Sequence, residues 1–220
     1  MNRLCFLAFV VVFPFSRLAL SDLILNGSFE DPAVTNVAGF ERYFAGSSIG
    51  AWNVDSGSVD LTTSLILNAA QGNQAIDLSG NVGDFGAISQ DVTTNAGNLY
   101  TLNFSYAGNI SSGPTVKEFA VFWGNTGSSL TQIGSYAFDT TGRSSTDMGY
   151  LNGSITNLVA TSGSSRLQFV SLTDSGFGIE LDAVSLTAVP EPSSLVLISL
   201  GAVGYVVWSR KRGRRNGNNG

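Results

Sequence analysis

Tyr100, Leu102, Phe104 and Tyr106 alternate with Thr101, Asn103 and Ser105, so every large apolar side chain of this stretch falls on one side of an extended backbone. A helix would scatter the same residues around its surface. Gly86–Thr93 gives a weaker strand before it, and Asn95-Ala96-Gly97-Asn98 between the two predicts a hairpin turn. Phe119-Ala120-Val121-Phe122-Trp123 is apolar on both faces and predicts a central strand buried between layers, ending at Gly124-Asn125-Thr126-Gly127. Further predicted strands are Leu23–Leu25, Val59–Leu61, Gln74–Leu78, Gln132–Phe138, Gly153–Leu158, Arg166–Leu172 and Ile179–Leu186. Clusters of Gly, Asn, Ser and Asp separate them, no segment holds a helical period, and neither a fixed-length repeat nor a linker divides the body. The expected fold is all-β, one sandwich of two sheets.

The two ends follow other rules. Met1-Asn2-Arg3, an apolar run from Leu4 to Phe15, and the small-residue site Ala19-Leu20-Ser21 read as a secretory signal peptide over residues 1–21, cut by signal peptidase before Asp22. Cys5 lies inside that segment, so the mature chain has neither a disulfide nor a thiol nucleophile. At the other end, residues 188–220 run from Val189-Pro190-Glu191-Pro192-Ser193-Ser194 through an uncharged stretch, residues 195–208, to Arg210, Lys211, Arg212, Arg214 and Arg215. A span of residues 195–208 is short for a bilayer that asks for about 20 apolar residues, and the basic cluster would hold the C-terminus in the cytoplasm. On these grounds alone the tail reads equally as a single-pass anchor.

Motif, spacing, basic end and position together resemble the PEP-CTERM sorting signal of Gram-negative bacteria. The resemblance implies recognition by an exosortase-type membrane protease and transient residence in the inner membrane through the tail. Cleavage near Pro190-Glu191-Pro192 and delivery to the cell surface or exopolysaccharide matrix would follow.

The body, residues 22–187, is long enough for one domain with a full core. From Asp22 to Val189 only Arg42, Lys117, Arg143 and Arg166 stand against fifteen acidic residues, a net charge near −11. So acidic a surface repels phosphate backbones, which argues against nucleic acid as a partner. The chain has no histidine, which excludes Ser-His-Asp and Cys-His mechanisms and histidine zinc sites. No Gly-rich loop opens a helix, so a phosphate cradle is absent. A glycosidase needs only two placed carboxylates, but no compact acidic motif lies on a predicted strand.

A second resemblance is carried by Leu25-Asn26-Gly27-Ser28-Phe29-Glu30, Ala51-Trp52-Asn53-Val54, Gly57-Ser58-Val59-Asp60-Leu61, Gln74–Gly80, Gly86–Gln90, Tyr100–Asn109 and Leu181–Leu186, in that order. It is similar to the choice-of-anchor C family, and implies a galactose-binding-like jelly roll, an extracellular role and carbohydrate contact. In such sandwiches the first and last strands lie close and often share a structural calcium. Glu30 and Asp182 are the expected ligands, with Asp77 or Asp31 as a third, and hydrogen bonding of Glu30 and Asp182 to turn N–H groups is the alternative. For sugar, an exposed aromatic face with amide or carboxylate neighbours is required. Trp52, Tyr106, Trp123 and Tyr136 are the candidates, with core packing as the alternative for the two tryptophans, and Tyr43 and Phe44 are equally eligible if Phe40–Phe44 is a loop. The leading expectation is a non-enzymatic, carbohydrate-binding surface or matrix protein. A coat protein that binds other proteins and a polysaccharide hydrolase are the alternatives.

Overall fold

The alternation in the sequence is realised as two sheets closed face to face. The structure is a computed structural model that describes residues 21–190. Its strands are β1 (Phe40–Phe44), β2 (Ser48–Ile49), β3 (Trp52–Ser56), β4 (Ser58–Thr63), β5 (Gln74–Asp77), β6 (Ala87–Thr93), β7 (Leu99–Gly108), β8 (Val116–Asn125), β9 (Thr131–Asp139), β10 (Leu151–Val159), β11 (Ser164–Ser171) and β12 (Ile179–Ala188). They form two six-stranded sheets, ordered β1-β4-β5-β12-β7-β10 and β2-β3-β6-β11-β8-β9, with every pairing antiparallel. The chain is therefore an all-β sandwich. The signal segment and the tail beyond Pro190, including the expected span at 195–208, lie outside the described residues. No helix among the described residues is long and apolar enough to cross a membrane.

On β7, Tyr100, Leu102, Phe104 and Tyr106 all point inward and are buried. Phe104 anchors the aromatic centre of the core, with the rings of Tyr136, Phe169, Phe119 and Tyr106 centred 5.2 to 6.0 Å away. Trp52 lies between Phe29 and Phe169 at 5.5 and 6.1 Å. These offset and edge-on contacts add to area burial and fix how the two sheets mesh.

Three expectations change. Asn95–Asn98 is not a hairpin turn: β6 and β7 belong to different sheets, and the loop arches between them, with Gly97 N donating to Ala160 O and Ala160 N to Asn98 O. The same turn residues serve either connection, because the turn signal reports a reversal and not which sheet receives the next strand. Leu23–Leu25 forms no strand and is held by an Asp22–Thr187 bridge and by Leu23 N donating to Leu186 O. Phe40–Phe44 is not a loop but the edge strand β1, which turns Tyr43 onto the core and leaves Phe44 exposed. An edge strand pairs on one side only, so its charged Glu41 and Arg42 mask the period.

The sandwich has two poles. β12 runs antiparallel to β7, so the chain leaves beside the start of β7, where Val189 N donates to Leu99 O. At the opposite pole the ends of β5 and β7 meet the start of β12. Leu78 N donates to Ile179 O, Asn109 N to Gly178 O, and Gly83 N to Asp174 Oδ1. Near the exit, β12 bulges at Ala183, where the chain passes within contact of the N-terminal segment and Val184 N donates to Gly27 O. A Cβ on Gly27 would stand 1.9 Å from the Val184 carbonyl oxygen, so only glycine admits that approach.

Candidate ligand-binding groove

Strand register decides which aromatic side chains face solvent. In β8, Trp123 pairs with Leu167 on the inner face, whereas Phe122 pairs with Gln168 on the outer face. Phe122 is half-buried and belongs to no aromatic stack of the core. It lies in a groove of about 470 Å³ on the outer face of the second sheet, lined also by Asp55, Ser128, Leu130, Arg166 and Gln168.

The polar groups around this ring are fixed by one another. Asp55 accepts from Ser89 Oγ at 2.9 Å and from Gln168 Nε2 at 2.7 Å. Arg166 pairs with Asp91 as a fork, Nε to Oδ1 at 2.6 Å and Nη2 to Oδ2 at 2.9 Å. Hydrogen bonding to the Arg166 guanidinium holds the Asp91 carboxyl below the usual carboxylate range, and the same pair raises Arg166. Both members of the fork are partly exposed, so its contribution to stability is small and its use is geometric: it presents pre-oriented donors and acceptors at the groove wall. An apolar ring flanked by planar polar groups with spare hydrogen-bonding positions suits a ligand with an apolar face and an equatorial belt of hydroxyls.

None of the four aromatic residues singled out in the sequence supplies such a face. Trp52 is fully buried and donates from Nε1 to Asn26 O. Trp123 is buried, packs on Tyr100 and donates from Nε1 to Val159 O. Tyr106 is buried among Phe104, Phe119 and Phe138. Tyr136 is half-buried with its ring stacked on Phe119 at 5.3 Å. Each occupies an inward register position. Phe122 is legible in the sequence only as part of a strand apolar on both sides; that it faces outward follows from the register with β11.

Glu30 and Asp182 are both drawn to the loop that precedes β5, each with amide partners. Glu30 Oε1 accepts from Asn73 N and Gln74 N at 2.7 and 2.9 Å. Asp182 Oδ2 accepts from Gln71 N and Oδ1 from Ala183 N. These N–H groups engage Glu30 Oε1 and both Asp182 oxygens, which is the hydrogen-bonded arrangement named as the alternative to calcium. Among the described residues no group of three or more His, Cys, Asp or Glu is gathered to hold a metal ion. Asp77 instead accepts from Asn109 Nδ2, Ser79 N and Gly178 N, and Asp31 lies exposed.

The first sheet carries an unusual charge row on its outer face. Arg42, Asp60, Asp77 and Glu180 are direct cross-strand neighbours on β1, β4, β5 and β12. Carboxylates placed opposite one another repel, and here Asp60, Asp77 and Glu180 are all buried. Burial, reinforced by the neighbouring acids, pushes Asp77 up to about 7 and Glu180 well above the usual range, and burial raises Asp60 in spite of its Arg42 partner. Geometry agrees. Thr62 Oγ1 lies 3.2 Å from Ala75 O and 2.8 Å from Glu180 Oε2, yet has one proton to donate. A protonated Glu180 resolves this by donating to Thr62, which then donates to Ala75. Glu180 Oε1 and the Tyr150 hydroxyl are buried without partners, which a neutral carboxyl tolerates better than a carboxylate.

Comparison with known proteins finds the PEP-CTERM protein-sorting motif at residues 188–212. None of the curated proteins compared matches the chain. Among solved structures it is similar to TmCBM61 in complex with beta-1,4-galactotriose, with 19% identity over 76% of this chain and 97% of that one, TM-score 0.46. It is also similar to the CBM22-1 xylan-binding domain from Paenibacillus barcinonensis Xyn10C, with 16% identity over 80% and 99%, TM-score 0.48. A family 35 carbohydrate binding module from Clostridium thermocellum matches with 17% identity over 67% and 96%, TM-score 0.44. None of these names the choice-of-anchor C family. The family profile that does match covers residues 22–175, and the chain belongs to that family, described as "Protein of unknown function (DUF642)".

Proposed function

We propose that this is an exported, non-enzymatic protein of the cell surface or exopolysaccharide matrix that binds glycan in the groove around Phe122. The observation that carries the reading is the groove itself: one outward aromatic ring on a sheet, walled by the Asp55–Gln168 pair and by Arg166, which Asp91 orients. Hydrolysis fits this groove poorly. The groove is lined by one carboxylate, Asp55, whereas cleavage of a glycosidic bond takes a placed pair. In this reading signal peptidase cuts before Asp22. An exosortase-type protease then acts at Val189-Pro190-Glu191-Pro192 while Arg210, Lys211, Arg212, Arg214 and Arg215 hold the tail in the inner membrane. Glycan is then the working partner of the released or anchored sandwich.

The test is adsorption of the full-length chain, in mild detergent, to insoluble xylan, β-1,4-galactan and the producing cell's own exopolysaccharide. Phe122→Ala should weaken binding at this groove by about 2 kcal/mol, some thirty-fold, as loss of a central aromatic anchor does. Unchanged adsorption of that variant, or none by the wild type, overturns the reading. Capture of a protein partner insensitive to free sugar would instead favour the coat-protein alternative.

A further inference from the structure

The outer face of the first sheet carries a second concavity, also of about 470 Å³, at the pole away from the chain exit. Its wall holds Phe40 and Phe177, and its floor Arg42 and Asp60. Arg42 grips Asp60 as a fork, Nε to Oδ1 at 2.7 Å and Nη2 to Oδ2 at 2.8 Å, and its Nη1 donates to Asn81 Oδ1 at 2.7 Å. Its guanidinium also lies over the Phe40 ring at 5.8 Å. Phe177 is 37% exposed, on the loop before β12.

This is the chemistry of the Phe122 groove repeated on another scaffold. Each concavity has an outward aromatic ring, an arginine gripped as a fork by an aspartate, and a side-chain amide. The two forks, Arg42–Asp60 and Arg166–Asp91, are the only salt bridges among the described residues; both members of the first line the cup, and the second reaches its groove through Arg166. In both the guanidinium is neutralised by its carboxylate, which suits an uncharged, hydroxyl-bearing ligand better than an ion. Because the two sheets pack face to face, their outer faces point in opposite directions.

We infer that the Phe40–Phe177 cup is a second glycan site, and that the protein is a bridge holding two polysaccharide chains on opposite faces of one sandwich. The inference rests on the proposed glycan binding and adds to it the stoichiometry and the cross-linking. A bridge needs no dimer: one domain with two sites ties neighbouring strands of a matrix, and simultaneous engagement multiplies retention on a polymer.

The experiment uses the full-length chain in mild detergent with xylan- and galactan-coated beads, together with soluble oligosaccharides of the same glycans. Phe177→Ala and Val82→Glu alter exposed positions in the cup and should leave the melting temperature unchanged. Wild type should bind two oligosaccharides per chain and cluster the beads. Either cup variant should bind one and need at least about tenfold more protein to cluster them, a modest part of the gain that multivalency gives. Clustering by the cup variants at wild-type concentrations, or one oligosaccharide per wild-type chain, overturns the bridge while leaving glycan binding at Phe122 intact. No binding of either glycan by any form, the host's own exopolysaccharide included, overturns both readings.

Discussion

The charge row Arg42–Asp60–Asp77–Glu180 makes stability fall as pH rises, the reverse of most acidic proteins. Asp77 keeps its proton in the folded state up to about 7, against an ordinary value of 3.8. The folded protein therefore binds more protons than the unfolded chain across that window. The stability this gives is complete below pH 4 and is lost as pH climbs through 7. At about 1.36 kcal/mol for each pH unit, the interval amounts to about 4 kcal/mol, shared between Asp77 and the carboxyl groups it is coupled to. Asp182, pushed up to about 6, and Glu180, raised further by burial and its acidic neighbours, act in the same direction. Asp84, Asp91 and Asp139 are lowered by hydrogen bonds, so their contribution is lost only below about pH 4 and does not overlap the window. Urea unfolding at pH 4.5, 6 and 7.5, followed by the fluorescence of buried Trp52 and Trp123, should show unfolding free energy declining throughout. Glu180→Gln keeps the contact with Thr62 and cannot ionise, so the decline should shrink by about 1.4 kcal/mol per pH unit wherever Glu180 was the group holding the proton. Flat or rising stability between pH 4.5 and 7.5, or a Glu180→Gln slope equal to wild type, would refute the argument.

Trp52→Ala and Trp123→Ala should each destabilise the sandwich by about 3–5 kcal/mol, measured by urea midpoint, while the folded fraction binds glycan with wild-type affinity, because both rings are core. A chelator such as EDTA should leave the melting temperature within about 1 °C, since Glu30 and Asp182 are engaged by amide N–H groups; a fall of several degrees restored by Ca²⁺ would show a metal holding that loop. Intact mass of the protein from its native host should show a surface species beginning at Asp22 and ending near Pro190-Glu191-Pro192; a membrane species retaining Arg210 to Arg215 would make the tail a plain anchor.

Strand identity was legible wherever the period was strong. Expected strands at Gln132–Phe138, Gly153–Leu158 and Ile179–Leu186 lie inside β9, β10 and β12, because alternation and β-branched or aromatic residues report a pleated, half-buried surface. Sheet membership was not legible, since the arch at Asn95–Asn98 and a hairpin use the same residues. The site was hidden for a related reason. Phe119–Trp123 announces a strand, but whether Phe122 or Trp123 faces out depends on pairing with β11, a partner more than forty residues away in the chain. The Arg–Asp forks are likewise products of long-range register: Arg42 meets Asp60 and Arg166 meets Asp91 only once their strands are side by side.

The chain exit gives the domain a mechanical direction. β12 is an interior strand, laddered to β7 along most of its length and to β5 near its start, and it continues directly into the tail at Val189. Tension between a tethered tail and a polymer gripped at the far pole runs along β12, across ladder hydrogen bonds that lie perpendicular to it. Those bonds share the pull as a shear and must yield together. A pull on the segment at Asp22 would meet separate bonds in turn, Leu186 N to Asp22 Oδ1, Leu23 N to Leu186 O and then Val184 N to Gly27 O, which can yield one at a time. The tether is thus joined to the fold at its strong side.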